Sequence, residues 1–415
     1  MRNLRVGLFL GLRQIQSANG WATGLIVTII MFTFLNLVTL SGILIGIVDA
    51  ATEQVRVNVL GDINISPLEG ETRISETQHF LERLDTYHEI ASYSARYSDI
   101  VTIEANYEER RSLNSDPDII ALNVTGINPL DEKQTTSLDQ LIGEGAFLDP
   151  EESGYIVLGK YNVDRYADEY GNVFDSLQGV YPGDKVMVTA GDQSREFIVK
   201  GILDSKSDFI SIAAYITERD FRRMFNRIDY NANQIVVRLS SGYSSGVIRD
   251  RLRDSELAEY GEINSFTEDI PKFVVDVRDT FQSLSLIVGS IGVTVASITI
   301  FIVIFINALS RRRQIGILKA IGITPQAIEF AYVTQALVYV LVGVTLAIVV
   351  TQFLLIPYFI EHPLDFPYAN ASLSITMGGM LVQAVTFALV AVIAGFVPAW
   401  LVAKGNTLNA ILGRK

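Results

Sequence analysis

The chain has 415 residues, no Cys, 49% hydrophobic residues, 19% charged residues and a formal net charge of −13. The absence of Cys excludes disulfides, Cys-ligated zinc, iron–sulfur clusters and thiol catalysis, and three scattered histidines (His79, His88 and His362) point to no metal site. The charge is unevenly divided. Residues 49–280 hold 23 Lys+Arg against 43 Asp+Glu, and the remainder 10 against 3, so an acidic soluble part is joined to a basic membrane-flanking part. An acidic domain repels nucleic acid, which excludes it as a partner.

Residues 1–20 carry Arg2, Arg5 and Arg13, with Leu4, Leu8, Leu12 and Ile15 at helical spacing. This predicts a basic amphipathic helix lying on the inner membrane surface. A signal-peptide n-region is the alternative, but the apolar run that follows is too long for one. Residues 21–48 are 28 residues without a charge, where a bilayer core needs about 20 helical residues and a secretory apolar segment roughly 7–15. A retained transmembrane helix is expected there. Trp21 suits the interface belt, and Gly42 and Gly46 match the small-xxx-small pattern of helix packing.

Residues 49–280 read as a mixed α/β domain outside the membrane. Strands are expected at 55–66, 90–104, 119–126 and 154–158, and helices at 75–87 and 218–225. The segments 184–190 and 195–203 read as a hairpin turned at Gly191-Asp192. The run 234–266 reads as strand–helix–strand. A strand–helix–strand unit thus stands near each end, with a strand-rich insertion of about 117–230 between them, bounded near Asp116-Pro117.

Three further apolar spans follow, at 281–309, 326–360 and 376–403, with a short loop at 361–375 and a tail at 404–415. Short loops rich in Lys and Arg stay inside. The N-terminus has three such residues, 311–319 four and 403–415 three, whereas the loop between the last two spans has none. Four spans with both termini inside satisfy this rule. The fold class expected is therefore an α+β membrane protein, with four transmembrane helices and a large extracytoplasmic α/β domain between the first two.

Candidates for chemistry are few. Gly154-Tyr-Ile-Val-Leu-Gly159-Lys160-Tyr161 mimics a P-loop, but Tyr161 cannot hold magnesium as the usual Ser or Thr does; a buried strand and turn is expected instead. No other nucleotide-binding motif is present, so the chain is not expected to be an enzyme. The acidic pairs Glu108-Glu109, Glu151-Glu152 and Asp168-Glu169 read as solvated surface. Asn36, Asn307, Gln335, Gln352 and Gln383 lie in or near the spans and read as hydrogen-bonding glue. Glu329 is the one candidate for an ion relay, near a helix start.

The segment 310–325 differs from an ordinary basic loop, which would be polar and rich in Gly and Ser. Arg311, Arg312 and Arg313 stop the second span. Ile315, Leu318 and Gly322 fall on one side of a short helix, Ile317 and Ile321 on another. Gly322 is a helix stop. Thr324 is placed to cap the next helix, with Pro325 at its first position. A rigid helix held between two membrane helices, with an apolar side in need of a partner, is expected.

The string Arg311-Arg312-Arg313-Gln314-Ile315-Gly316-Ile317-Leu318-Lys319-Ala320-Ile321-Gly322 resembles the signature of FtsX/MacB/LolC-like ABC transporter permeases, with Gln314 where the family has Glu. Pro398, Ala403 and Ala410-Ile411-Leu412 resemble the family's tail, with Leu408 where Pro is common. Residues 59–61, 124–129, 156–159 and 182–186 look most like the lipoprotein-releasing (LolC/LolE) branch. The resemblance implies a multi-pass protein of the bacterial cytoplasmic membrane whose 310–325 helix is pushed by a separate ABC ATPase dimer. No cofactor is then held by this chain, ATP and magnesium belonging to that ATPase. The partners implied are a second permease copy or paralogue, the lipid bilayer, and a periplasmic substrate or acceptor protein. The function implied is extraction or export of a lipoprotein or amphipathic substrate. Regulation of a cell-wall hydrolase, and drug or peptide efflux with a periplasmic adaptor, are the alternatives within the family; a sensor without an ATPase is the alternative outside it.

Overall fold

An uncharged run in a bilayer has no water for its peptide groups, and a helix satisfies them internally. The computed structural model, which describes residues 2–16, 20–109, 117–167, 175–366 and 369–404, has four helical stretches long and apolar enough to cross a membrane: Thr23–Leu60, Lys272–Ser310, Pro325–Glu361 and Met377–Leu401. The chain divides into a helical unit (Met1–Ala50, Asp276–Phe366, Asn370–Lys415) and an α/β unit (Ala51–Val275, Pro367–Ala369). The chain is thus a membrane protein of the α+β class.

The first half of the chain forms α1 (Arg2–Gln16), α2 (Gly20–Val55), β1 (Ile63–Ser66), α3 (Thr77–Leu84), β2 (Ile90–Ala105), β3 (Asp118–Ile127), α4 (Pro129–Thr135), β4 (Ile142–Gly145), β5 (Tyr155–Gly159), α5 (Asp164–Ala167), β6 (Lys185–Ala190) and β7 (Gln193–Leu203). Then follow α6 (Asp208–Ser211), β8 (Ala214–Thr217), α7 (Glu218–Met224), β9 (Gln234–Leu239), α8 (Ser245–Arg253), β10 (Glu262–Ser265), α9 (Lys272–Ser310), α10 (Arg312–Ala320), α11 (Pro325–Val350), α12 (Ile356–Glu361), β11 (Leu364–Phe366), β12 (Ala369–Ala371) and α13 (Met377–Lys404).

Residues 55–60, expected as strand, are helical. Between Gly46 and Gly61 there is no Gly or Pro to stop α2, which passes into a π-turn at Arg56–Leu60. Gly61, at φ +67°, ends it, and Val55 and Leu60 are buried against Val274. A second π-turn, Thr351–Leu355, joins α11 to α12.

Inside the helical unit, α11 is central. Tyr332, Ala336 and Tyr339 of α11 share a core with Ile30 and Phe34 of α2, Ile300 and Ile304 of α9, and Phe387 and Ala391 of α13. Membrane helices lack a hydrophobic drive to associate, so small residues and close packing decide where they touch. Phe34 meets Phe387 edge-on at 5.4 Å between ring centres. Of the amides in the spans, Gln335 is buried and donates to Tyr339 Oη at 2.6 Å. Asn36 and Asn307 instead line clefts between α2 and α9.

In the α/β unit, β1–α3–β2 and β9–α8–β10 pair in the order β10-β1-β9-β2, all antiparallel. This is the order of a split βαβ, ferredoxin-like sheet. Ile63, Ile65, Ile74, Phe80 and Leu84 are fully buried in its core. The insertion is a closed barrel: pairings run β2–β3–β8–β5–β7–β6 and return to β2, with β4 added on β7. Closure leaves no free edge along that path.

Strand β2 belongs to both sheets. Its residues Ile90–Arg96 pair with β9, and Tyr97–Ala105 with β3. The insertion therefore begins inside β2 rather than near residue 117. Asp116 itself lies outside the described residues, and the strands flanking it are neighbours within the barrel. A 16-residue strand carries no composition break at the point where it changes partner. The P-loop look-alike is β5, with Ile156, Val157 and Leu158 fully buried and Lys160 donating to Asp204 at 2.8 Å. Asp168 and Glu169 lie outside the described residues.

Candidate coupling site

The short helix α10 is built by its two ends. α9 stops at Ser310, Arg311 turns at φ −102°, and the Arg311 and Ile315 amides donate to the Asn307 and Arg311 carbonyls at 3.3 and 3.1 Å. At the far end Gly322 sits at φ +95°, a conformation side chains rarely adopt. The Gly322 amide donates to the Lys319 carbonyl at 3.1 Å and the Ile323 amide to the Leu318 carbonyl at 3.0 Å. These are the two bonds of a Schellman stop, and Leu318 and Ile323 supply its apolar contact by packing against the same core. Thr324 stands at the N-cap position of α11 with Pro325 next, but its side chain makes no capping bond. The expected cap is therefore positional only: Pro325 presets the backbone.

Burial sorts the predicted residues into two faces. Ile315 and Gly316 are buried, and Leu318 packs against the same core, while Arg311, Arg312 and Lys319 are half-buried. Arg313, Gln314, Ile317, Ala320 and Gly322 are exposed, and Ile317 and Ile321 are 49% and 71% accessible. One side of α10 is thus fixed to the membrane helices. The opposite side presents two isoleucines flanked by Arg313 and Gln314.

The glycine pair Gly42 and Gly46 packs, but not against a helix. A Cβ on Gly42 would strike Ile375 and Leu373, and one on Gly46 would overlap the Ser372 carbonyl. The occupant is the non-helical segment 372–376 leading into α13, held by Ser374 N–H donating to the Gly42 carbonyl at 3.2 Å and by Ser374 Oγ donating to Asp49. A single strand of backbone outside a helix is thinner than a helix and fits deeper into a two-glycine groove.

A second small-xxx-small pair does take a helix. A Cβ on Gly7 would stand 2.6 Å from Phe330 Cβ, and one on Gly11 2.7 Å from the Ala331 carbonyl. α1 therefore packs by its glycines on the first turns of α11, directly after the α10 stop. Leu8 and Leu12, predicted to face the membrane surface, are exposed, together with Phe9.

Sequence reasoning also missed Arg96 and Glu132, which are 4% and 0% accessible. Arg96 Nε donates to Glu132 Oε2 at 3.2 Å, and Nη2 to Oε1. The same guanidinium donates to the Val59 carbonyl at 2.7 Å and the Asn58 carbonyl at 3.2 Å, at the end of the π-turn that continues α2. Ser94 and Thr136 hydroxyls donate to Glu132 at 2.6 and 2.7 Å. Burial would raise the Glu132 pKa, but the Arg96 charge and these hydrogen bonds hold it below the usual carboxylate range. Terminal carbonyls of a helix have no partner of their own, and Arg96 supplies one. No sequence signal separates Arg96 from the other arginines of this acidic domain.

Four apolar helices, an α/β unit inserted after the first and a short capped helix between the second and third define a multi-pass membrane protein. Residues 286–407 match the family described as FtsX-like permease C-terminal. The chain is 24% identical over 182 residues to a "Probable export ATP-binding/permease protein" of Pseudomonas fluorescens, covering 43% of this chain and 27% of that protein. It is 26% identical over 184 residues to the "Macrolide export ATP-binding/permease protein MacB" of Burkholderia cenocepacia, covering 43% of this chain and 26% of that one. The chain thus spans about a quarter of the length of these relatives. Among solved structures, the periplasmic region of MacB from Actinobacillus actinomycetemcomitans aligns at 15% identity and TM-score 0.35, over 52% of this chain and 94% of that chain.

Proposed function

We propose that the chain is the permease subunit of an ABC export system in a bacterial cytoplasmic membrane. Both termini and α10 are cytoplasmic, and the α/β unit is extracytoplasmic. A separate ATPase dimer, holding ATP and magnesium, grips the exposed face of α10 around Ile317 and Ile321. Its closure moves α10 together with α9 and α11, and a second permease copy or paralogue completes the assembly. The observation that carries this reading is the two-faced α10: Ile315 and Leu318 lock it to the span core while Ile317 and Ile321 stay uncovered. The permease match over 286–407 supports it.

The cargo is an amphipathic molecule, a lipoprotein being the specific proposal, taken from the outer face of the membrane. The names of the relatives, which speak of export, favour movement of a substrate over regulation of a wall hydrolase. Purification of the full chain from its native membrane tests the coupling. An ATP-hydrolysing subunit is expected to co-purify, and Ile317→Glu and Ile321→Glu are expected to release it. Absence of any ATPase, or its retention by both variants, overturns the proposal.

A further inference from the structure

A cleft of about 450 Å³ lies inside the helical unit, between the start of α2 and the end of α9. Leu25, Ile26 and Ile29 form one wall and Val303 and Ile306 the other. Of these, Leu25, Ile29 and Ile306 are 55%, 38% and 57% accessible. The lining runs from 23 to 29 on α2 and from 303 to 311 on α9, about 9 and about 12 Å at the helical rise. It therefore fits within one leaflet, roughly 15 Å of the bilayer's hydrocarbon.

One end of the cleft is polar. The Arg311 amide donates to the Asn307 carbonyl at 3.3 Å, so these two lining residues stand one helical turn apart on the same side. Both are half-buried, and among the described residues neither side chain has a hydrogen-bond or ion-pair partner. The neighbouring Ser310 hydroxyl is spent on the Ile306 carbonyl at 2.8 Å. A guanidinium has five N–H donors and no acceptor, so Arg311 calls for an anion with several oxygens. Asn307, one turn nearer the bilayer centre, offers a further donor below it.

Charge decides what fills the cleft. Residues 1–48 and 281–328 hold three and four Lys+Arg and no Asp or Glu. A second copy entering by its own α2 and α9 would bring no counter-charge, and a two-fold contact would carry its Arg311 toward the first. A zwitterionic headgroup would add a cation where no carboxylate stands. An anionic lipid brings apolar chain to the walls and phosphate to the guanidinium, whose planar fork matches phosphate. We infer that this cleft binds an anionic phospholipid, one acyl chain lying between α2 and α9, its phosphate accepting from Arg311 and an ester carbonyl from Asn307 Nδ2. The inference rests on the permease reading only for the leaflet, which is then the cytoplasmic one.

The test uses the full chain, without an ATPase, in phosphatidylcholine nanodiscs. These are doped at equal fractions with phosphatidylglycerol or phosphatidylcholine carrying a diazirine on one acyl chain. After illumination, labelled peptides are mapped by mass spectrometry. Label on residues 303–310 is expected to be about fivefold higher with the glycerol probe, the attraction of one basic residue for an anionic lipid. The two probes should label α13 equally at Leu389 and Ile393, which are 62% and 66% accessible. Arg311→Gln should bring the ratio at 303–310 down to that of α13, while Arg311→Lys, which keeps the charge, and Arg313→Gln, at an exposed neighbour, should preserve it. A wild-type ratio equal to that of α13 overturns the inference. So does a ratio that survives Arg311→Gln or falls as far with Arg313→Gln. A second copy in the cleft would instead give a disulfide-linked dimer of Ile306→Cys, in a chain with no other Cys, and no label at 303–310; that outcome also overturns it. No ATPase is present, so this result and the coupling result fail independently.

Discussion

Glu132→Gln tests whether the Arg96–Glu132 clamp ties the end of α2 to the sheet. The substitution keeps the size of the side chain and one carbonyl oxygen, but it leaves the Arg96 guanidinium buried without a counter-charge. Removing one partner of a buried ion pair costs about 3–5 kcal/mol, because the desolvated charge that remains has lost its compensation. At about 1.4 kcal/mol per tenfold, amides of β2 and β9 that exchange through opening of this sheet should exchange on the order of 100- to 3,000-fold faster. Hydrogen exchange on the full chain in detergent, followed by mass spectrometry, reads this directly. The pH dependence has a definite sign. The folded pKa of Glu132 is depressed, so its contribution is complete above the unfolded value of about 4.3 and fades as pH falls below it. Glu132→Gln should flatten that acid limb. The double variant Arg96→Met/Glu132→Leu separates stability from grip: an apolar pair of similar volume is often neutral or stabilising, yet the Asn58 and Val59 carbonyls lose their donor. It should regain slow exchange in β9 while exchange at the end of α2 stays fast. Wild-type exchange in Glu132→Gln, or full recovery at residues 56–60 in the double variant, refutes the reasoning.

Other substitutions separate folding from docking in the helical unit. Trp21 and Trp400 are the only tryptophans, so fluorescence during thermal unfolding in detergent reports on this unit. Gly46→Val drives a side chain into the Ser372 carbonyl and should cost about 1–3 kcal/mol as an overpacked contact; an unchanged midpoint would mean that the groove is not closed by residues 372–376. Gly11→Leu should lift α1 from α11 and speed tryptic cleavage at Arg13, whereas Leu12→Ala should leave the cleavage rate alone. Ile315→Glu buries a charge and should destabilise the unit by at least about 2 kcal/mol. Ile317→Glu, on the exposed face, should shift stability by no more than about 0.5 kcal/mol. Equal unfolding midpoints for these two variants would contradict the two-faced reading of α10.

Much of the architecture was legible because the bilayer imposes a crude rule on sequence. A span must be uncharged and about 20 residues long, so four runs announced four helices. The Gly322 stop and the two faces of α10 were legible too, since a positive-φ glycine and helical spacing are local properties. The continuation of α2 through residues 55–60 was not, because the apolar–polar alternation there mimics a strand and tertiary burial beside Val274 outweighs it. Gly42 and Gly46 were recognisable as a contact point, but the pattern states only that something approaches closely. That the occupant is a non-helical segment some 330 residues away follows from chain topology. Likewise Gly7 and Gly11 were overlooked beside the leucines of α1, since amphipathic spacing draws attention to the face that meets lipid, not the face that meets α11. Strand β2 shows where local signals end: the chain is uniform along it, and only its neighbours reveal that two sheets share it. Composition and period thus determined which segments are helix or strand and which lie in the membrane, because those preferences are set within a few residues. Arg96 on Glu132 and the glycine grooves were decided by tertiary structure alone, because each depends on which distant groups burial brings within hydrogen-bonding or van der Waals reach.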